Sequence, residues 1–160
     1  MRISNNYSKE GIQPLAKKIW KTIKQEPMLT SRTYSEIENA LMKKNIHILY
    51  EGEKIIGFIG KRNLHRRWYE LMSLYIHPHY RKRGYARYLL KSSHVDNNYF
   101  YIAGTFQDYI VRILKDQGFQ HVSLSDLPVP VLFSYILSRD IRSVLLNFTK
   151  KKAHILVKNN

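Results

Sequence analysis

A β-forming run that stops at a proline and gives way to a helix within a few residues constrains this chain more than any other feature. Residues 68–76, Trp-Tyr-Glu-Leu-Met-Ser-Leu-Tyr-Ile, are rich in aromatic and apolar side chains. His77-Pro78 ends the run, and Gly84 opens a helical pattern reaching about residue 93, with Tyr88, Leu89 and Tyr85 expected to face inward. A strand that feeds a helix must bury one side of each element, which selects a layered α/β arrangement with a parallel strand pair. The alternation continues with a strand over 99–105, a helix over 107–116 closed by Gly118 as its C′ glycine, and a strand over 121–124.

The preceding segment supplies two helices and a hairpin. Ile12, Leu15, Ile19, Trp20 and Ile23 recur at helical spacing over 11–24. Thr33 and Glu36 form a capping box for a second helix that buries Ile37, Leu41 and Ala40 and stops near Asn45, with Pro27 in the connection. Residues 46–50 and 55–60 are β-branched runs joined by Glu51-Gly52-Glu53-Lys54, a hairpin pattern. Residues 61–67 form a basic tip before the long strand. In the tail, Pro128-Val129-Pro130 precedes an apolar helix over 131–148, where Leu132, Ile136, Leu137, Ile141, Val144, Leu145 and Phe148 suit a core or a contact between two copies. Lys150-Lys151-Lys152 and a strand over 153–158 follow.

The turn Arg81-Lys82-Arg83-Gly84-Tyr85-Ala86 carries the chemistry. The first turn of a helix has unpaired N–H groups and a partial positive charge, so it binds phosphate when the backbone can curl around the anion. Gly84 permits that approach, Ala86 keeps the first turn uncluttered, and Arg81, Lys82, Arg83 and Arg87 add cations. The chain has neither G-x-G-x-x-G nor G-x-x-x-x-G-K-[ST], which argues against a Rossmann turn or a P-loop.

Taken with the strand before it, this turn resembles the main cofactor motif of the Gcn5-related N-acetyltransferase (GNAT) superfamily: Pro78, Tyr80, Arg81, Gly84, Ala86, Leu89 and Leu90 occupy the motif positions. The resemblance covers roughly residues 11–124 and includes the Gly118-Phe119 ending. It implies an α/β fold with a mixed α+β sheet, mostly antiparallel, in which one splayed parallel strand pair is flanked by helices. It further implies acetyl-CoA as donor, with the pantetheine arm held by the backbone of Leu74, Tyr75 and Ile76 and an N–H near Leu74 or Tyr75 polarising the acetyl carbonyl. Leu71, Leu74 and Ile76 cannot share one side under strict alternation; an extra residue near Ser73, as in a β-bulge, would allow it.

Direct transfer needs a neutral amine and a proton for the departing thiolate. Glu70 is the first base candidate, acting through water; its structural alternative is a carboxylate paired with Arg66 or Arg67. His65 and His77 are weaker choices. The family's usual Tyr acid, four residues before the Gly-Phe ending, is Leu114 here, and an Asn that contacts pantetheine is Gln107. Tyr101 and Tyr109 are the remaining acid candidates. Water is a sufficient proton source, because a thiol titrates near pH 8.5.

Charge bears on partners. The 160 residues hold 27 Lys and Arg against 12 Asp and Glu, a formal +15, which fits an acceptor amine on an acidic protein, an RNA or something bound to nucleic acid. Cysteine is absent, which excludes disulfides, thiolate metal ligands and a Cys nucleophile; no metal is expected. No apolar run reaches the roughly 20 residues of a membrane span, and the first residues lack a leader's apolar stretch. The expectation is one cytoplasmic domain over 1–160. Two rival functions stay open: an inactive acyl-CoA-binding module, suggested by Leu114 and Gln107, and a basic nucleic-acid-binding module, suggested by the charge.

Overall fold

The computed structural model describes residues 1–27, 29, 31–94, 98–137 and 154–159. The strands are β1 (Arg2–Ser4), β2 (Ile46–Glu51), β3 (Lys54–His65), β4 (Trp68–Ile76), β5 (Phe100–Thr105), β6 (Gln120–His121) and β7 (His154–Asn159). The helices are α1 (Lys9–Gln25), α2 (Tyr34–Met42), α3 (Tyr85–Ser93), α4 (Asp108–Lys115) and α5 (Val129–Leu137). The strands form a mixed sheet in the order β1-β2-β3-β4-β5-β7-β6. β4 and β5 run parallel in register Trp68↔Phe100 to Leu71↔Ala103, whereas β1-β2, β2-β3, β5-β7 and β6-β7 are antiparallel. The chain forms two compact units, Met1–Lys61 with Met72–Val95 and Arg62–Leu71 with Asp96–Asn160.

In the first unit, α1 starts where the Ser8 hydroxyl accepts the Gly11 N–H at 3.2 Å, and α2 where Thr33 and Glu36 close the expected capping box. Their apolar stripes meet in one core: Ile12, Ala16, Ile19 and Ile23 of α1 and Ile37 and Leu41 of α2 pack with Ile46, Ile48 and Phe58 of the sheet. The other side of the sheet carries α3. A Cβ on Gly57 would lie 2.7 Å from Ile76 Cδ1 and 3.1 Å from Leu89 Cδ1, so the missing side chain lets α3 sit close to the strands. This fixes where the turn before α3 emerges.

In the second unit, Leu64, Ile102, Leu127, Val131, Tyr135 and Ile155 form a separate core. Trp68 and Phe100 stack across the parallel pair with centroids 4.6 Å apart. α4 ends in a Schellman arrangement: Gly118 takes φ 86°, its N–H bonds Lys115 O at 2.9 Å, and the Phe119 N–H bonds Leu114 O at 3.1 Å. Leu114 and Phe119 are both buried, as the apolar contact of that motif requires.

Four expectations need correction or trimming, and one strand was not expected. The basic tip over 61–67 is mostly strand: β3 continues to His65 because Leu64 enters the second core, and only Arg66 and Arg67 turn, with Arg66 at φ 45°. The strand expected over 121–124 shrinks to Gln120–His121, since the Ser123 N–H bonds the Asp126 carboxylate at 2.8 Å and a capping box opens a 3₁₀ turn. Tyr88 faces solvent at 51% exposure; the buried pair on α3 is Leu89 and Leu90. On α5 the buried residues are Val131 and Tyr135, while Ile136 and Leu137 are exposed, and the expected helix beyond residue 137 lies outside the described residues. β1 lacks a sequence signal of its own; it forms by pairing Arg2–Ser4 with Tyr50–Ile48.

Candidate functional site

In the first unit the backbone does something unusual just ahead of the helix. Ser73, inside β4, has φ 55°, a left-handed conformation that costs a non-glycine residue about 1 kcal/mol or more. It sits where an extra residue was expected and interrupts strict alternation before Leu74, Tyr75 and Ile76. The strand end is then secured from several sides. The His77 N–H bonds Ile56 O at 2.8 Å, and the Tyr75 ring stacks on Phe58 at 5.1 Å, where burial raises its phenol pKa.

The turn that follows is held by two acids distant in sequence. Arg81 Nε donates to Ile76 O at 2.9 Å and its Nη2 donates to the Glu26 carboxylate at 2.7 Å, so this guanidinium is committed to the strand end and to the residue that caps α1. Tyr80 donates its hydroxyl proton to Glu51 at 2.6 Å, and its ring has the Lys54 ammonium 5.4 Å and the Arg83 guanidinium 5.7 Å away. His77 stacks on His79 at 5.4 Å; burial, with Lys54, His79 and Arg81 nearby, lowers its pKa.

Two left-handed residues shape the rest of the turn. Lys82 has φ 63° and Gly84 φ 80°, and helical Tyr85 follows Gly84. A left-handed residue beside a helical one turns successive N–H groups toward one point, a concavity suited to oxyanions. The Tyr88 N–H bonds Gly84 O at 3.1 Å, so the N–H groups of Tyr85, Ala86 and Arg87 belong to the first turn, where helix geometry gives them no helical acceptor. A Cβ on Gly84 would meet nothing within 4 Å: the concavity is open on that side, and glycine is required by conformation rather than by crowding. Thus Leu74, Tyr75, Ile76 and the residues from Arg81 to Arg87 lie on one continuous strand–turn–helix segment.

The second unit holds the other candidates and divides them. Glu70 is 2% exposed and ion-paired with Arg62 on β3, neither with Arg66 nor with Arg67, because the β3–β4 turn is only two residues long. Arg67 instead donates to Asn98 O. Tyr101 is 1% exposed and its ring lies 6.1 Å from that of Tyr69. Since Glu70 is level with Ile102 and Tyr69 with Tyr101, alternation sends Glu70 and Tyr101 to opposite faces of the parallel pair. Tyr109 is 58% exposed on α4, and Gln107 is the N-cap of that helix, its backbone N–H on Thr105 Oγ1 at 3.2 Å. Leu114, where the family's usual Tyr would stand, is 2% exposed.

Sequence reasoning missed Glu26 and Glu51, the acids that anchor the turn; they lie 55 and 29 positions from their partners, and no local pattern marks them. It also missed the Asp108–His154 contact, 3.4 Å long, beside which the His121 ring lies 5.2 Å from that of His154.

The left-handed Ser73 of β4, the basic turn hinged on Gly84 and the N-terminus of α3 thus follow one another along the chain. A family model described as the acetyltransferase (GNAT) family matches residues 12–93, and the chain belongs to that family, whose enzymes are N-acetyltransferases that use acetyl-CoA. Curated protein sequences give no match. Among solved structures, Rv2747 from Mycobacterium tuberculosis in complex with CoA and NLQ superposes with a TM-score of 0.73 at 12% identity, over 100% of this chain and 99% of that one. Arabidopsis thaliana Naa50, in complex with a bisubstrate analogue CoA-Ac-MVNAL, gives 0.68 at 14% identity over 99% and 98%. N-acetylglutamate synthase from Neisseria gonorrhoeae gives 0.67 at 18% identity, and this chain, 98% covered, spans only 34% of that one's length. At these identities the likeness is one of fold. Among the described residues no helix is long and apolar enough to cross a membrane.

Proposed function

We propose that this chain transfers acetyl from acetyl-CoA to an amine on a macromolecule, either an acidic protein or a component bound to RNA. The observation that carries the reading is the pairing of a left-handed Ser73 with the Lys82–Gly84 turn on one segment. The kink would free the N–H and C=O groups of Leu74, Tyr75 and Ile76 for the pantetheine arm, and the first-turn N–H groups with Lys82, Arg83 and Arg87 would hold the diphosphate. In this reading Arg81 is a positioning residue: it fixes the turn through Glu26 and Ile76 O. Gln107 would meet the arm at the start of α4.

The chemistry is direct attack. The amine nitrogen bonds the acetyl carbon, the C–S bond breaks, and the electron pair leaves on the CoA sulfur. An N–H of the bulged strand stabilises the oxyanion. Glu70 accepts the amine proton through water, with Arg62 holding the carboxylate in place. Leu114 has no proton to give, Tyr101 lies on the other face from Glu70, and Tyr109 is largely in solvent, so water protonates the thiolate in this scheme. No metal is needed. The macromolecular acceptor is suggested by the +15 charge, which repels a small polyamine and attracts an acidic surface. The reading treats residues 1–160 as one cytoplasmic catalytic domain, and takes the exposed Val129, Phe133 and Leu137 of α5 as the contact of a homodimer.

The test is incubation of the protein with labelled acetyl-CoA and a lysate fractionated by size. Label on macromolecules, absent with Gly84→Glu, is the expected result. Turnover of spermidine that is insensitive to salt, with no label on macromolecules, would overturn the acceptor class.

A further inference from the structure

Helix α1 carries four lysines on its solvent side and no acid to answer them. Residues 11–25 hold Lys17, Lys18, Lys21 and Lys24 and no Asp or Glu. The four are exposed, while Ile12, Ala16, Ile19 and Ile23 fill the core on the other side of the helix. At about 100° per residue, Lys17, Lys21 and Lys24 fall within about 60° of one another, a ridge flanked by Lys18. Like charges three and four residues apart destabilise a helix. Among the described residues no carboxylate pairs with any of these ammonium groups. Glu10 lies about 10 Å before Lys17 along the axis. Glu26, the C-cap, is bonded to Arg81, and on α2 Glu36 is bonded to Thr33 and Glu38 to Tyr34.

One of the cations is held in place. Lys24 Nζ lies 4.0 Å from the centroid of the Trp20 ring, and Trp20 packs against the core. An ammonium on a ring face keeps donors for a further acceptor and has less rotamer freedom left to lose.

The make-up of the ridge selects its partner. A protein interface is built on apolar or aromatic anchors, with Lys depleted, and the exposed residues of α1 are Lys, Glu, Gln and Pro. Recognition of carboxylates favours the guanidinium fork of Arg, and α1 has no Arg. A membrane-surface helix buries its apolar face in lipid, whereas that of α1 is packed against α2 and the sheet. Single strands are held by stacking bases on aromatic rings, and the aromatic residue of α1, Trp20, is packed on the core with Lys24 over its ring. A duplex meets all four limits: its outside is a rail of phosphates that accepts point charges without stacking, insertion or a bidentate fork. The ridge from Lys17 to Lys24 is about 10 Å long, and that length of duplex axis carries about six phosphates.

We propose that the Lys17–Lys21–Lys24 ridge of α1, with Lys18 beside it, docks the phosphate backbone of double-stranded nucleic acid without regard to sequence. The ridge shares no side chain with the diphosphate site proposed above, and docking there does not rest on acetyl transfer.

Fluorescence anisotropy of labelled duplexes, one of DNA and one of RNA, tests it with the full chain. Three phosphate contacts at roughly 0.9 each give an expected slope of about −2.7 in log K against log[salt], so affinity should fall about 40-fold between about 50 and 200 mM salt. Scrambling the duplex sequence should change affinity by less than about twofold. Lys21→Gln should flatten the slope by about 0.9, whereas Lys43→Gln, the same change of charge at the exposed end of α2, should leave it as in the wild type. Gln is a good helix former, so both variants should fold, and both should keep the thermal stabilisation by acetyl-CoA. Binding of either duplex with these slopes supports the ridge. Absence of salt-dependent duplex binding overturns the proposal, as does equal flattening by Lys21→Gln and Lys43→Gln, which would assign binding to net charge. Tighter binding to polyglutamate or to anionic phospholipid vesicles than to the duplexes overturns it too. So does joint loss of duplex binding and acetyl-CoA stabilisation in Lys21→Gln, which would assign this lysine to the cofactor.

Discussion

The turn from His77 to Gly84 in the first unit and the parallel pair β4–β5 in the second use their polar residues in opposite ways. In the turn, side chains such as Arg81, Tyr80 and Glu26 brace the backbone, and the proposed cofactor surface is made of N–H groups. In the parallel pair the backbone is spent on the strand ladder, and any chemistry must come from side chains, of which Glu70 and Tyr101 are buried. A function performed by backbone tolerates many sequences but needs a few residues with special φ, so it leaves a compact signature: Gly84, a proline, a bulge. A function performed by side chains has no such signature, and the acceptor amine is correspondingly harder to read.

The sharpest break of that contrast is at Gly84. Gly84→Glu places a carboxylate at the anion site and a side chain at φ 80°; acetyl-CoA affinity should fall at least about 100-fold by calorimetry, with the far-UV spectrum retained because a Cβ there has open space. Gly84→Ala should lose only about tenfold, from strain alone. If both variants bind as wild type does, the turn is not the cofactor site.

The second unit answers to side-chain loss. Glu70→Gln should lower kcat about 100-fold, the lower end of the range for general-base catalysis, and flatten the acid limb of the pH profile. A variant that loses stability but keeps kcat would make the Arg62–Glu70 pair purely structural, and breaking such a buried pair from the other side, with Arg62→Met, should cost about 3 kcal/mol in urea unfolding.

Much of the fold was legible because local rules agree with the final packing. The Thr33–Glu36 box, the 68–76 strand, the Gly118 ending and the kink at Ser73 were all readable, the last because Leu71, Leu74 and Ile76 break the two-residue alternation. Partners decided by register were not readable. Arg62 rather than Arg66 meets Glu70 because β3 runs on to His65, and that depended on Leu64 being drawn into a core formed by residues 38 or more positions later. Tyr88 faces out because two aromatics three residues apart on a short helix fit more than one inward face, and the close approach allowed by Gly57 selects Leu89.

A smaller effect separates burial from catalysis. His47, on β2, is 9% exposed, and burial with Lys61 nearby lowers its pKa to about 4 from the ordinary 6.5. The folded protein therefore keeps it neutral while the unfolded chain takes a proton below pH 6.5. Stability should be level above that pH, fall by about 2 kcal/mol between pH 6.5 and 4.5, and lose much of this slope in His47→Gln. Smaller still is Glu26→Gln. Freeing the half-exposed Arg81 should raise the KM for acetyl-CoA about threefold with kcat unchanged, the scale of a surface ion pair acting through position.

In the proposed site, backbone N–H groups after Lys82 hold the cofactor. A crystal structure with acetyl-CoA tests it most directly. The expected result is diphosphate oxygens within hydrogen-bond distance of the N–H groups of residues 83–87 and the pantetheine arm alongside Leu74, Tyr75 and Ile76. Acetyl-CoA bound elsewhere, with those N–H groups facing water, would contradict it.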